Sequence, residues 1–194
     1  MNAVRRIAIT GGPGAGKTTL WRALVSAYPD RVLAVPEVAT LMFQHVFPSV
    51  ENEHEHHAVQ RAIFAVQHNL ERFYEARVTP GQLLLCDRGT PDGGGYWPSG
   101  HEAFFEAMST RWQDELARYD AVLFLETAAA QGLSIAEGNA IRVEDREAAC
   151  AIDRRLRDVW SAHRKFAFIA CQPDFSAKIA AGYRALQAAI ESLA

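Results

Sequence analysis

Five short apolar runs, at residues 7–10, 31–35, 83–86, 121–125 and 166–170, alternate along the chain with longer stretches of helical period. The run at 83–86, Leu-Leu-Leu-Cys, has no polar position, as expected of a parallel strand buried on both faces. Between the runs, Leu20, Leu24, Val25 and Tyr28 recur at helical spacing, and Pro36 is followed by a predicted helix through Met42 and Phe43. Residues 51–78 form a long pattern in which Val59, Ile63, Val66, Leu70, Phe73 and Tyr74 return every three or four positions, ended by Pro80 and Gly81. Further helices are predicted over 101–119, over the charged segment 142–163 and over the amphipathic segment 176–193. Two stretches read as irregular: a glycine-rich loop at 92–100 and a connection of small residues at 127–140, which reads as a lid within 126–147. The alternation predicts an α/β fold, a three-layer α/β/α sandwich on a five-stranded parallel sheet with right-handed crossovers. Ligands in such sheets bind at the carboxyl ends of the strands.

Composition narrows the function classes. A chain of 194 residues is long enough for one core, so a single domain over 1–194 is expected. No apolar stretch is long enough to cross a bilayer, and no integral membrane association is expected. Cys86, Cys150 and Cys171 are odd in number and lack C-x-x-C spacing, which suits buried thiols in a reduced, cytoplasmic compartment. A net charge of −3 gives no pull toward nucleic acid. The partners expected are a nucleotide and a small-molecule acceptor, and a homodimer is compatible with the sequence.

One segment carries specific chemistry. Gly11, Gly12, Pro13, Gly14, Ala15, Gly16, Lys17 and Thr18 fit G-x-x-x-x-G-K-[ST] in full, between a strand and a helix, with Thr19 following. Glycines let backbone N–H groups face phosphate oxygens, the helix offers its positive end, Lys17 reaches the β and γ phosphates, and Thr18 supplies a hydroxyl to Mg²⁺. The pattern predicts binding of a nucleoside triphosphate without reading the base; with no guanine-reading N-K-x-D sequence present, ATP is the co-substrate expected and GTP the alternative. Asp87, at the end of the third strand, stands where such proteins place the acid that holds Mg²⁺ directly or through water, although a strand-end aspartate also caps turns. Arg88 suits bidentate contact with an acceptor or with phosphate oxygens, the alternative being a surface ion pair.

The phosphate loop, Pro36-Glu37 after the second strand, the run from Asp87 to Gly93 followed by Tyr96-Trp97-Pro98, and Arg142-Val143-Glu144 before a charged helix together resemble the NadR/TTD14-like AAA-type ATPase family over nearly the whole chain. The resemblance implies a nucleoside- or nucleotide-kinase-like core with strand order 2-3-1-4-5. It implies that Glu37 orients or deprotonates an acceptor hydroxyl, and that Arg142 and Arg146 are lid arginines that neutralise charge on the transferred phosphoryl. Glu144, Asp145, Arg146 and Glu147 read equally well as a solvated helix face.

Two further groups invite competing readings. Gly93, Gly94 and Gly95 ahead of Tyr96 and Trp97 suggest a flexible segment whose rings stack on a planar ligand, or a packed loop. His54, His56 and His57 suggest a metal site less than a solvated helix start. The function expected is transfer of the γ-phosphate of MgATP to a hydroxyl-bearing acceptor such as a nucleoside or nucleotide; the alternative is a nucleotide-dependent switch or NTPase that engages a protein or lipid partner.

Overall fold

The computed structural model describes residues 4–47, 49–132, 145–172 and 174–193. Its sheet has five parallel strands, β1 (Arg6–Gly11), β2 (Val32–Val35), β3 (Leu83–Asp87), β4 (Ala121–Leu125) and β5 (Phe166–Ile169), in the order β2-β3-β1-β4-β5. β1 takes the centre, its Ile7 in register with Leu85 on one side and with Ala121 on the other. The period of two within each strand sorts the core into halves. Ile7 and Ile9 of β1, Leu83 and Leu85 of β3, and Ala121, Leu123 and Leu125 of β4 face one layer of helices. Ala8, Leu84, Cys86, Val122 and Phe124 face the other.

The first layer holds α1 (Lys17–Ala27) and α8 (Phe175–Glu191). They approach closely at Gly182, where a β-carbon would lie 2.5 Å from the Leu20 side chain. The opposite layer holds α3 (Glu53–Glu75), α4 (Asp92–Tyr96), α5 (His101–Ala107), α6 (Trp112–Leu116) and α7 (Arg146–Ser161), and α2 (Val38–His45) packs on α3. Asn52 begins α3 by accepting from the Glu55 N–H at 3.0 Å, and Asp145 begins α7 by accepting from the Ala148 N–H at 2.8 Å. Among the described residues no helix is long and apolar enough to cross a membrane.

Two predicted elements differ. The helix expected over 101–119 is two helices, because the chain turns at Ser109, which takes a left-handed φ of 55°. The first part of the glycine-rich segment forms α4, whose glycines let the backbone press against neighbours, and residues 97–100 make the turn that follows. A β-carbon at Gly93 would lie 2.4 Å from the Phe104 ring, and one at Gly95 would lie 2.5 Å from the Leu156 side chain. Trp97 is buried at 3% exposure and stacks on His57 with ring centroids 3.9 Å apart, so its faces are committed to the core. Of the predicted lid, Ala128–Gln131 forms a 3-10 turn, and residues 133–144, Arg142 included, lie outside the described residues.

A buried polar network braces the turn that follows β3. Glu71, at 0% exposure, accepts from Tyr119 Oη at 2.7 Å and from Arg118 at 2.6 Å, and Arg6 lies 3.5 Å away. Tyr119 Oη in turn accepts from the Thr90 N–H at 2.8 Å, and the Thr90 hydroxyl donates to Glu115 at 2.7 Å. Each charge in this group has a partner, the condition under which buried charges are tolerated.

The close approach of α4 to α7 yields a stability test. Gly95→Ala should cost about 1–3 kcal/mol, because Leu156 is fully buried and cannot swing clear. Urea unfolding should show a lower midpoint with unchanged slope; a midpoint equal to that of the unaltered protein would mean that α4 is not packed as described.

Candidate functional site

The carboxyl ends of β1, β2, β3 and β4 meet at one edge of the sheet, and every described candidate residue lies there or on the loops and helices that follow. Gly11 has a φ of 137°, and a β-carbon on it would sit 2.0 Å from the Leu125 carbonyl oxygen, so only glycine lets the loop leave β1 beside β4. Gly16 precedes α1 in the left-handed conformation, φ 83°, and no side chain caps the helix. The first N–H groups of α1 are therefore directed at the loop, the arrangement that binds anions. Lys17 is 4% exposed, and its Nζ donates to the Gly12 carbonyl at 2.7 Å, which lays the ammonium across the loop.

Thr18 lies beside Asp87, close enough for its hydroxyl to pull the pKa of that carboxyl down. Oδ1 of Asp87 is nevertheless buried without a hydrogen-bond partner, a costly state for a carboxylate oxygen. Burial and the neighbouring Glu37 charge push the Asp87 pKa up to about 6, against the pull of Lys17 and Arg88. An orphaned carboxylate oxygen beside a hydroxyl fits a hard divalent cation that keeps its other positions for water and phosphate. Thr18 and Asp87 would hold Mg²⁺, which would supply positive charge to the phosphate oxygens. The histidines do not converge in this way, and among the described residues no group of three or more His, Cys, Asp or Glu is placed to hold a metal.

Glu37 precedes α2 but makes no capping bond with its side chain. Its Oε1 accepts from Arg88 Nε and its Oε2 accepts from the Thr40 hydroxyl at 2.7 Å. Burial alone would raise this carboxyl, but the charges of Arg88 and Lys17 outweigh it and hold the pKa at about 2. Arg88 itself takes a left-handed φ of 76°, unusual for a side chain of its size. That turn points the guanidinium between Glu37 and Asp92, whose Oδ2 accepts from Nη1 at 3.1 Å, with the Tyr96 ring 5.5 Å away. Burial works against the Arg88 charge, and Tyr96, Glu37 and Asp92 keep it protonated. Arg88 is thus ion-paired, but inside the site and not at the surface.

Arg146 is the first residue of α7, is exposed, and donates from Nε to the Ala129 carbonyl at 3.1 Å. That bond ties it to the β4 end of the site, away from Glu37 and Arg88. Three residues that the sequence did not single out complete the edge. Asp92 Oδ1 accepts from the Thr10 hydroxyl at 2.8 Å and from Trp160 Nε1 at 2.7 Å, which links β1, α4 and α7. Thr127 donates from its hydroxyl to the Pro13 carbonyl. Asp153 Oδ1 accepts from the Gly12 N–H and the Thr127 N–H, both at 2.9 Å. A signal for Asp153 existed: it falls on the face of α7 shared by Ala149, Ile152, Leu156 and Trp160, all buried.

The raised Asp87 pKa sets a pH dependence with a definite sign. A carboxyl that titrates near 6 when folded and near 3.8 when free in water favours folding in its protonated form, so its contribution is present at pH 4 and is lost as pH rises through 6. In metal-free buffer, Asp87→Asn should therefore gain stability over the unaltered protein as pH goes from 4 to 7, by on the order of 3 kcal/mol at most. Glu37 has the opposite sign, its contribution being lost from about pH 5 downward, but it is present in both proteins and drops out of the comparison. Urea midpoints that run parallel for the two proteins across this range would overturn the assignment.

Comparison with known proteins agrees with this geometry. Residues 6–178 match the model of a family described as an AAA domain. The fold superposes on deoxyadenosine kinase from M. mycoides with bound dATP, at a TM-score of 0.64 and 13% sequence identity, covering 94% of this chain and 99% of that one. No curated protein matches the sequence. At that identity the superposition speaks for the fold, a P-loop kinase-like sheet, and the family match over most of the length settles membership: the chain belongs to the AAA domain family.

Proposed function

We propose that this protein is a small-molecule kinase that transfers the γ-phosphate of MgATP to an acceptor hydroxyl. The reading rests above all on one observation: an ionised carboxylate, Glu37, is clamped by Arg88 beside the phosphate loop, within reach of the charge of Lys17. The phosphate loop and Lys17 would bind the triphosphate, and Thr18 with Asp87 would hold the metal. Glu37 would accept a hydrogen bond from the acceptor hydroxyl, aligning its oxygen for in-line attack.

The low pKa decides between orienting and deprotonating. Moving a proton from a hydroxyl with a water-like pKa near ~15.7 to a carboxyl near 2 is uphill by roughly 19 kcal/mol in the ground state. Glu37 therefore positions the hydroxyl first and takes its proton only after bonding to phosphorus has made it acidic, which suits a loose phosphoryl transition state. The charges also favour an alcohol over a phosphate as acceptor. Arg88 is already paired with Glu37 and Asp92, so an incoming phosphate would meet two carboxylates and a guanidinium already engaged by them.

Turnover of γ-labelled ATP with Mg²⁺, with and without a pooled library of hydroxyl-bearing and phosphate-bearing metabolites, tests the proposal. Acceptor-dependent transfer is expected, lost in Lys17→Ala and lowered about 10²- to 10⁴-fold in Glu37→Gln. Slow phosphate release that ignores the acceptor pool would move the assignment to a nucleotide-dependent switch.

A further inference from the structure

The two residues that follow β4 form a junction that the transfer chemistry does not itself require. The Glu126 carbonyl accepts from Lys178 Nζ of α8 at 2.6 Å, and the Glu126 carboxylate accepts from the Cys171 N–H after β5 at 2.8 Å. Thr127 bonds through its hydroxyl to Pro13 of the phosphate loop and through its N–H to Asp153 of α7. Asp153 closes the circuit, because the same oxygen, Oδ1, also accepts from the Gly12 N–H. Asp153 is 6% exposed, and the fit is close: a β-carbon on Gly12 would lie 2.7 Å from the Asp153 Cβ.

The consequence falls on Lys17. The Gly12 residue presents its N–H to Asp153 and its carbonyl to Lys17 Nζ. A change in the backbone dihedrals there would disturb both bonds, so the partner of the N–H fixes where the carbonyl, and with it the ammonium, can sit. Arg146 lies seven residues before Asp153 on the same helix, about two turns or 10 Å along one face. α7 thus carries an arginine at its start and, two turns on, the group that sets its register against the phosphate loop.

We propose that Asp153 is a positioning residue of the phosphate loop, which holds the Gly12 backbone and the β4 end in one geometry and so fixes both Lys17 and the Arg146 end of α7 relative to a bound triphosphate. The inference rests on the loop binding a nucleoside triphosphate and does not depend on the acceptor. It is a claim about geometry, so it separates from charge. Asparagine can offer Oδ1 to the same two N–H groups, alanine offers nothing, and glutamate keeps the charge but adds a methylene where Gly12 leaves no room.

Two measurements on the full chain test it. In the nucleotide-free protein, amide exchange at Gly12 and Thr127 should remain slow in Asp153→Asn and speed up in Asp153→Ala and Asp153→Glu. Titration calorimetry with MgATP should find Asp153→Asn within about threefold of the unaltered protein and the other two weaker by about tenfold or more, as expected when a binding group is misplaced by part of an ångström. Should the alanine variant not fold, the comparison of asparagine with glutamate carries the test alone. Glutamate binding like the unaltered protein while asparagine fails would mean that the charge matters and the geometry does not, and would overturn the proposal. So would equal MgATP affinity in all folded variants, or unchanged Gly12 exchange in the glutamate and alanine variants. If the unaltered protein binds no MgATP while exchange follows the expected order, the kinase reading fails; the positioning of the Gly12 backbone by Asp153 stands, and its consequence for a bound triphosphate falls.

Discussion

The pairing of Arg88 with Glu37 is the interaction on which the edge of the sheet depends. Three carboxylates, Glu37, Asp87 and Asp92, converge in a region where each is largely removed from water. Without compensation their mutual repulsion and lost hydration would cost several kcal/mol per ion. Arg88 answers two of them at once, and its left-handed backbone is the conformation that lets a guanidinium from the end of β3 reach both the β2 end and α4. The charge of Lys17 acts on Glu37 and Asp87 as well. Asp87 is left with an unpartnered oxygen, which goes with its raised pKa and is why a metal ion at that position would relieve a conflict already present in the fold.

Much of this was legible in the sequence, for identifiable reasons. β3 and β4 declare themselves because parallel strands buried on both faces show an unbroken apolar run, as Leu83, Leu84, Leu85 and Cys86 illustrate, whereas the partly exposed edge strands β2 and β5 show only as short apolar runs between helical patterns. The phosphate loop is legible because its function requires particular residue types at fixed spacing. The strand order comes from resemblance, since local pattern carries no information about which strands neighbour each other.

What stayed hidden is tertiary. Three consecutive glycines have the composition of a loose loop, yet they form a helix because Leu156, Phe104 and Val159 need the space that β-carbons would fill. Nothing local distinguishes a glycine chosen for freedom from one chosen for thinness. Asp153 was masked in the same manner: on a helix rich in charge it looks like part of a solvated face, and only its phase among Ala149, Ile152 and Leu156 places it inside.

The packing of α4 bears on selectivity. Stacking of a ligand on Trp97 would require the indole to leave both His57 and the Phe104 edge contact, so the aromatic platform suggested by composition is spent on the core. Tyr96, half-buried beside Arg88, is the ring left facing the charged edge. A wall built this way is stiff, because Gly93 and Gly95 remove the slack between α4 and its neighbours and Asp92 is bonded to β1, to Arg88 at the end of β3 and to α7 at once. Under the kinase reading such a wall would select an acceptor by fit and by the placement of one hydroxyl against Glu37. Its recognition energy would then go into alignment for transfer, which raises the rate of the chemical step more than it tightens binding.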